Sequence, residues 1–359
     1  MGSGDPRYAE SRMVQLPETL VEAIEAEVGQ EPAARLEKAQ AELSACYRTA
    51  AGGICPTPWR DEHYRAYLVA RFPATFAATY VVLDEILKLG GGGATGWETV
   101  IDVCAGPGTA LLALAALGLR PKRAWLLERD SNFLAIARRL AEHVGGTADG
   151  TEYCRAEAAE GLESIGMPAD LVVCAYGLGE QSSAEARAEL LRAAWERTKG
   201  VLVVVEPGTP QGARTIFEGR RMLLELGAHL WGPCPHAASC PLETSERRWC
   251  HFSVRLARSR LHRMLKGGTL TYEDERFSYV VAARFAPPSP SNARARVISF
   301  PRLTNAGVKF EGCLADGRAE RILIPKRERE AYRVARDLRW GATVPDHVLA
   351  VRVVRGAVQ

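Results

Sequence analysis

One short stretch, Thr99 to Thr109, constrains the fold of this chain more than any other. It begins as an apolar run that ends in Asp102 and continues into the glycine turn at Gly106, which is followed at once by the helix-forming residues 110 to 119. A buried parallel strand, a glycine turn and a helix in this order allow a ligand to lie against the backbone. The helix N-terminus adds unpaired N–H groups and a partial positive charge. The sequence therefore predicts a nucleotide-binding unit of an α/β fold.

The acid that ends the next predicted strand narrows the class of ligand that this unit could bind. Glu128 lies about 20 residues after the glycines, where such units usually hold a ribose diol. A dinucleotide fingerprint requires a third glycine where Leu111 stands. The loop resembles instead that of class I S-adenosylmethionine (SAM)-dependent methyltransferases. This resemblance implies SAM contacts by Asp102, Cys104, Ala105, Gly106, Pro107, Gly108, Glu128, Arg129 and Tyr176.

The 359 residues suit two or three domains. Residues 16 to 89 repeat apolar side chains at helical spacing, with Pro73 dividing or kinking one long helix. Residues 97 to 210 alternate strand and helix patterns, as a doubly wound parallel sheet requires. The predicted fold class is thus α/β with a class I, Rossmann-like methyltransferase core. We expect a helical cap at 1–92, the core at 93–230 and 268–286, a cysteine-rich loop with a basic helix at 231–267, and a basic β-rich module at 287–359.

Two absences in the sequence bear on location. No run approaches the length of about 18 apolar residues that a membrane span requires. The first residues lack the apolar core of a signal peptide. We therefore expect a cytoplasmic protein that does not enter a membrane. We also expect it to be a monomer when it is not bound to its partner.

Four cysteines, Cys234, Cys240, Cys250 and Cys313, indicate an inorganic centre. Three of them fall within 17 residues, in a segment that a bound ion or cluster would stabilise. Thiolates suit tetrahedral zinc or an iron–sulfur cluster. The irregular gaps of five and nine residues favour a cluster over zinc, which usually employs paired C-x2-C turns. Zinc, unligated thiols, and ligation by His236 or His251 in place of a cysteine remain open.

Positive charge is concentrated in the last third of the chain. Residues 1–246 carry 23 Lys and Arg against 33 Asp and Glu, whereas residues 247–359 carry 23 against 10. On a helix starting near Phe252, Arg255, Arg258, Arg263 and Lys266 could not all find local acidic partners, and an RNA phosphate backbone would neutralise them. The alternative is a solvated basic surface. The predicted RNA-binding residues are Arg255, Arg258, Arg260, Arg263 and Lys266.

The strand end at Cys174 to Gly177 lacks a recognisable motif for a methyl acceptor. Amino-directed nucleic-acid methylases carry Asn/Asp-Pro-Pro-Tyr/Phe at this place, and cytosine C5 methylases carry a Pro-Cys nucleophile. This chain reads Cys-Ala-Tyr-Gly there. The sequence thus supports ligand binding better than transfer chemistry, and no catalytic residue is predicted.

A series of motifs in fixed order resembles the Rsm22 family, which includes the mitochondrial methyltransferase-like protein seventeen. The motifs begin at Tyr67, Asp102, Glu206, Pro233, Cys240, Trp249, Tyr272 and Ile324, and together they span roughly residues 40 to 340. The resemblance implies a bacterial-type protein that binds SAM, holds a 4Fe–4S cluster on Cys234, Cys240, Cys250 and Cys313, and assists assembly of the small ribosomal subunit on 16S rRNA. The alternatives are an active SAM-dependent rRNA methyltransferase, and a zinc-binding methyltransferase-like protein without an RNA partner.

Overall fold

The computed structural model describes residues 13–49, 59–90, 96–245, 247–287 and 293–358. Most of the predicted linker at 286–292 and the N-terminal residues 1–12 lie outside this description. The described chain forms an α/β core under a helical cap, followed by a smaller antiparallel β module.

The cap consists of a short strand and four helices. Pro73 lies in the first turn of the fourth helix, where its missing N–H leaves no hydrogen bond unmade. The third and fourth helices meet at 45°, as the proline predicts. The elements are β1 (Met13–Val14), α1 (Glu18–Val28), α2 (Ala33–Thr49), α3 (Asp61–Ala70) and α4 (Phe72–Gly90).

The core alternates strands and helices over residues 99–232 and ends in a pair of antiparallel strands. Its elements are β2 (Thr99–Val103), α5 (Thr109–Ala116), β3 (Arg123–Glu128), α6 (Ser131–Val144), β4 (Gly150–Arg155), α7 (Ala158–Ser164), β5 (Ala169–Ala175), α8 (Ala184–Glu196), β6 (Thr198–Pro207), α9 (Pro210–Glu225), β7 (His229–Gly232), β8 (Phe252–Ala257), α10 (Arg260–Leu265) and β9 (Tyr272–Ala283).

The strand order confirms the predicted fold class. The nine-stranded sheet runs β1-β8-β9-β6-β5-β2-β3-β4, with β7 paired to β9. The strands β2 to β6 are parallel, and β9 is antiparallel to β6. The chain leaves β2 through β3 and β4 and returns through β5 and β6, so the topological switch lies between β2 and β5.

Both faces of the central strands are covered, which explains their continuous apolar runs. In β6, Val201, Val203 and Val205 pack in the cluster that includes the cap helices, whereas Leu202 and Val204 pack in the cluster that includes α8 and α9. Successive side chains on a strand point to opposite faces. The cap is therefore built onto the sheet as one of its covering layers.

The C-terminal module is a six-stranded sheet with two helices packed on it. The sheet runs β14-β10-β12-β13-β15 with β11 paired to β12, and the predicted turns at 305–307 and 316–317 connect its hairpins. The elements are β10 (Ala293–Val297), β11 (Arg302–Leu303), β12 (Gly307–Leu314), β13 (Ala319–Pro325), α11 (Arg329–Arg336), β14 (Thr343–Pro345), α12 (Asp346–Ala350) and β15 (Val353–Ala357).

The predicted helix beginning near Phe252 is wrong. The segment Phe252–Ala257 is β8, paired antiparallel with β9 inside the large sheet, and only Arg260–Leu265 is helical. Phe252, Val254 and Leu256 alternate with Ser253 and Arg255, which is the period of a strand and not of a helix. The domain boundary drawn at residue 267 therefore separates two neighbouring strands of one sheet.

Among the described residues, no single helix has the length and apolarity to cross a membrane. The bent pair α3 and α4 reaches that length and apolarity only when the two helices are taken together.

Candidate cofactor site and cysteine cluster

A cavity of about 520 Å³ opens at the carboxyl ends of β2, β3 and β5. We call it the strand-end cavity. It lies at the topological switch point, where doubly wound sheets bind their ligands. Its walls come from the sheet, the following loops and the cap: Cys104, Ala105, Gly106, Thr109, Glu128 to Phe133, Arg155, Ala175, Tyr176 and Glu180, with Tyr47, Trp59, Tyr64, Tyr67 and Thr75 from the cap.

The glycine turn after β2 has the backbone that the sequence pattern requires. Gly106 and Gly108 have φ values of 51° and 83°, in the left-handed region that favours glycine. Asp102 is buried and lies beneath the turn, outside the cavity lining, and its Oδ2 accepts the N–H of Ala110 at 3.1 Å. Burial raises the pKa of Asp102 to about 8. Asp102 thus anchors the start of α5, and the cavity surface is formed by Cys104 to Gly106.

Glu128 connects the two loops at the edge of the cavity. Its Oε2 accepts the N–H of Gly106 at 3.0 Å, and its Oε1 accepts the N–H of Asp130 at 3.0 Å. Burial raises the pKa of Glu128. Each carboxylate oxygen has two lone pairs, so both retain capacity for a ligand hydroxyl. The predicted ribose-binding acid therefore faces the cavity while it holds the glycine turn in place.

The cap supplies an aromatic wall that sequence reasoning did not identify. Trp59, Tyr64 and Tyr67 surround Phe133 of α6 with ring centroids 5.1 to 5.4 Å apart. The hydroxyl of Tyr64 donates to Asp130 Oδ2 at 2.6 Å. The aromatic spacing in the sequence indicated a helix, but nothing in it showed that this face meets α6. The wall offers a flat apolar surface on which a heteroaromatic ring could stack.

Glu180 is a further acid of the cavity that sequence reasoning missed. Burial, and then the negative charge of Glu128, raise the pKa of Glu180 to about 7. In the described part of the chain its carboxylate has no hydrogen-bond or ion-pair partner.

Tyr176 lines the cavity directly after β5, at the place of the missing acceptor motif. Its φ is 61°, and its hydroxyl donates to Glu275 Oε1 of β9 at 3.2 Å. Arg71 lies 5.5 Å from the Tyr176 ring centroid and 3.9 Å from the same Glu275 oxygen. The tyrosine hydroxyl is therefore engaged within the protein.

Of the other predicted SAM contacts, Arg129 lines the cavity with Cys104 and Ala105. Pro107 and Gly108 are buried behind the turn and do not line it.

The structure brings the four cysteines into one neighbourhood. Cys313 of β12 lies beside the loop that carries the other three, with its Sγ 3.4 Å from His236 Nε2. Burial raises the pKa of Cys250 strongly, and the thiols of Cys234, Cys240 and Cys313 raise it further. All four are free thiols. As placed, however, the described residues include no group of three or more His, Cys, Asp or Glu side chains positioned to hold a metal ion.

Buried arginines secure this neighbourhood. Arg220 of α9 donates through Nη2 to the carbonyl oxygens of His236 at 2.9 Å and Ala238 at 2.8 Å. These contacts fix the loop between Cys234 and Cys240 against the core.

Arg296 of β10 joins four parts of the molecule. Its Nε donates to the Pro233 carbonyl at 2.9 Å, its Nη1 to the Gly341 carbonyl at 2.6 Å, and its Nη2 to Glu85 of α4. Glu85 also accepts the hydroxyl of Tyr279 of β9 at 2.8 Å. The cysteine loop, the C-terminal module, the cap and the sheet therefore share one buried polar contact.

Three of the five predicted RNA-binding residues have acidic partners within the protein. Arg255 donates to both carboxylate oxygens of Asp274, at 2.8 and 3.0 Å, and Arg258 and Lys266 both pair with Glu273. The acids come from β9, which the antiparallel register places opposite β8. The other two predicted residues, Arg260 and Arg263, lie on α10, where Arg260 is exposed and Arg263 is partly buried.

Comparison with known proteins identifies relatives of this chain. The family model described as "Mitochondrial small ribosomal subunit Rsm22" matches residues 61–345. The human mitochondrial ribosome assembly protein METTL17 is 26% identical over 312 residues, which is 80% of this chain and 64% of the human protein. The mitochondrial Rsm22-cox11 tandem protein 2 of Schizosaccharomyces pombe is 23% identical over 337 residues, which is 80% of this chain and 45% of the yeast protein. The chain therefore spans less than two thirds of the length of either relative.

Solved structures show weaker similarity. Magnesium protoporphyrin IX methyltransferase from Synechocystis, solved with SAM, aligns with a TM-score of 0.37 and 14% identity over 58% of this chain and 80% of its own. TrmK from M. capricolum, solved with S-adenosylhomocysteine, aligns with a TM-score of 0.35 and 10% identity over 59% and 72%. At these scores the similarity carries no functional argument. The family match, in contrast, covers most of the chain, including the glycine turn, Glu128 and all four clustered cysteines, and on this basis the chain belongs to the Rsm22 family.

Proposed function

We propose that this protein binds SAM in the strand-end cavity and assists assembly of the small ribosomal subunit by binding its 16S-type rRNA. The observation that carries the SAM proposal is the carboxylate of Glu128, which holds Gly106 and Asp130 at the cavity edge and retains lone pairs for a ribose diol. The proposal of ribosome assembly is supported by the family and by its human relative, a ribosome assembly protein. In a bacterium, this assembly would take place in the cytoplasm.

SAM is proposed here as a bound ligand and not as a methyl donor. The residue at the acceptor position, Tyr176, donates its hydroxyl to Glu275, and the chain has no acceptor motif beside it. A methyl acceptor would have to be held by groups other than the Asn/Asp-Pro-Pro-Tyr/Phe and Pro-Cys motifs. An active rRNA methyltransferase is the second candidate, and the experiment below distinguishes the two.

A deletion strain complemented with wild type or with Gly106→Arg provides that experiment. Residue 106 has a positive φ and lines the cavity, so the arginine side chain would occupy the ligand space. We expect small-subunit precursors to accumulate in the deletion strain with no change in rRNA methylation. A methylated nucleotide that disappears on deletion and returns with wild type but not with Gly106→Arg would establish the enzyme instead.

We further propose that Cys234, Cys240, Cys250 and Cys313 hold a 4Fe–4S cluster. The donor set is chemically suitable, because four thiols free of disulfides gather from two distant segments. Iron–sulfur clusters are held by cysteine thiolates. When bound, the cluster would supply a covalent cross-link between the cysteine loop and the C-terminal module.

Metal analysis after anaerobic purification tests this second proposal. We expect about four iron and four sulfide per chain, with most of the iron lost in Cys313→Ser. The control is Cys154→Ser, which changes a free thiol on β4 away from the cluster. About one zinc per chain and no iron would refute the cluster and support the zinc alternative.

A further inference from the structure

The helix α11 presents a row of arginines to solvent. Its buried side, with Ala331 and Ala335, packs in the core of the C-terminal module. The opposite side exposes Arg329, Arg333 and Arg336, at the spacing that places side chains on one helical face. Lys326 precedes the helix and Arg339 follows it, and both are exposed. We call the five cations Lys326, Arg329, Arg333, Arg336 and Arg339 the α11 stripe.

The charges of the α11 stripe are not neutralised within the described residues. None of the five side chains forms an ion pair or a hydrogen bond there, although the acids Glu330 and Asp337 belong to the same segment. Three of the five cations predicted from sequence differ in this respect, because Arg255, Arg258 and Lys266 pair with acids of β9. The α11 stripe therefore lacks the acidic partners that these three cations have.

Such an arrangement costs stability in the isolated protein. Like charges at helical spacing repel one another. The row from Arg329 to Arg336 extends about 10 Å along the helix axis. A nucleic-acid backbone presents closely spaced phosphates over this length, and arginine recognises phosphate through a planar, bidentate set of donors.

We propose that the α11 stripe is the surface on which this protein binds the phosphate backbone of RNA. The inference rests on the proposed function, which supplies rRNA as the partner, and adds where that partner lies. The stripe positions the RNA without reading its sequence, because phosphate contacts carry no base information.

The test compares two triple variants with the same change in charge. The first is Arg329→Gln, Arg333→Gln and Arg336→Gln. The control is Lys122→Gln, Arg123→Gln and Arg139→Gln, exposed cations of the core that already pair with Glu98, Glu152 and Glu27. Binding of each full-length protein to a small-subunit rRNA transcript is measured by fluorescence anisotropy over a series of KCl concentrations. Circular dichroism confirms that both variants are folded.

Each lost phosphate contact lowers the magnitude of the slope of log K against log salt by about 0.7–0.9. We therefore expect this magnitude to fall by about two to three in the stripe variant, which lacks three arginines. The control should keep the wild-type slope. An unchanged slope in the stripe variant, or an equal loss in the control, would overturn the inference. If wild-type protein does not bind the transcript at all, the proposed function fails instead. If RNA binding is intact but the stripe variant no longer joins small-subunit particles, the stripe contacts a ribosomal protein and the inference is wrong.

Discussion

Replacing Glu128 with glutamine should weaken both the glycine turn and SAM binding. Both oxygens of Glu128 accept backbone N–H groups, from Gly106 and from Asp130, each at 3.0 Å. Glutamine has one acceptor oxygen, so its NH₂ group must face one of these donors. An unsatisfied donor in this partly buried place costs about 1–3 kcal/mol of folding free energy. Loss of a charge-assisted bond to the ribose costs about 1.5–3 kcal/mol more in binding, or about 10- to 150-fold in Kd.

The matched control is Glu180→Gln. This variant makes the same substitution in the same cavity, but the Glu180 carboxylate has no hydrogen-bond partner among the described residues. It should not lower the free energy of unfolding, because burial raises the pKa of Glu180 to about 7 and the carboxyl that is removed is unfavourable when ionised. Isothermal titration calorimetry with SAM and urea unfolding followed by tryptophan fluorescence measure the two effects. Equal losses in the two variants, in either assay, would refute the role assigned to Glu128.

Three further predictions follow from the buried contacts. Burial raises the pKa of Asp102 in the folded protein to about 8. Between about pH 4 and pH 8 the unfolded chain has therefore released a proton that the folded chain keeps. The free energy of unfolding falls as the pH rises through this window. Asp102→Asn does not titrate and should gain stability relative to wild type across that window in thermal melts; a pH-independent difference would contradict the assignment. Arg296→Met leaves Glu85 without its cation and two carbonyls without a donor, and should lose about 3–5 kcal/mol in urea unfolding; a loss below about 1 kcal/mol would count against a buried pair. Gly177→Ala would place its Cβ 2.5 Å from Cys104 Cβ, so the cavity wall must move and SAM affinity should drop. The control is Gly166→Ala, which has open space around it and no positive φ and should leave Kd unchanged.

The parts of the fold that the sequence predicted correctly are those with a strong local signal. The strands β2, β3 and β5 are apolar runs within residues 97 to 210, where the sequence predicts alternating strands and helices. Position 106 requires a positive φ, which glycine supplies. Residue type and spacing are sufficient at these places because neighbouring residues determine the backbone.

The errors arose where distant residues decide the structure. The charge of the segment after Phe252 suggests an exposed helix, whereas its alternation of apolar and polar residues is that of the strand β8. The partner of Arg255 is Asp274, which the antiparallel register places directly opposite it. Similarly, Trp59 reaches the cavity only because α3 packs against α6. Such pairings follow from tertiary structure, and no local pattern in the sequence specifies them.

The hydrogen bonds of Arg296 have a mechanical consequence. A proline-rich connector before residue 293 would ordinarily allow a terminal module to swing freely, yet this arginine anchors the module to Glu85 in α4, the helix that continues from the aromatic wall of the cavity. Moving the C-terminal module away from the core would require breaking the ion pair between Arg296 and Glu85 and the hydrogen bond from Arg296 to Pro233. The orientation of the module is therefore tied to the position of α4 and of the cysteine loop.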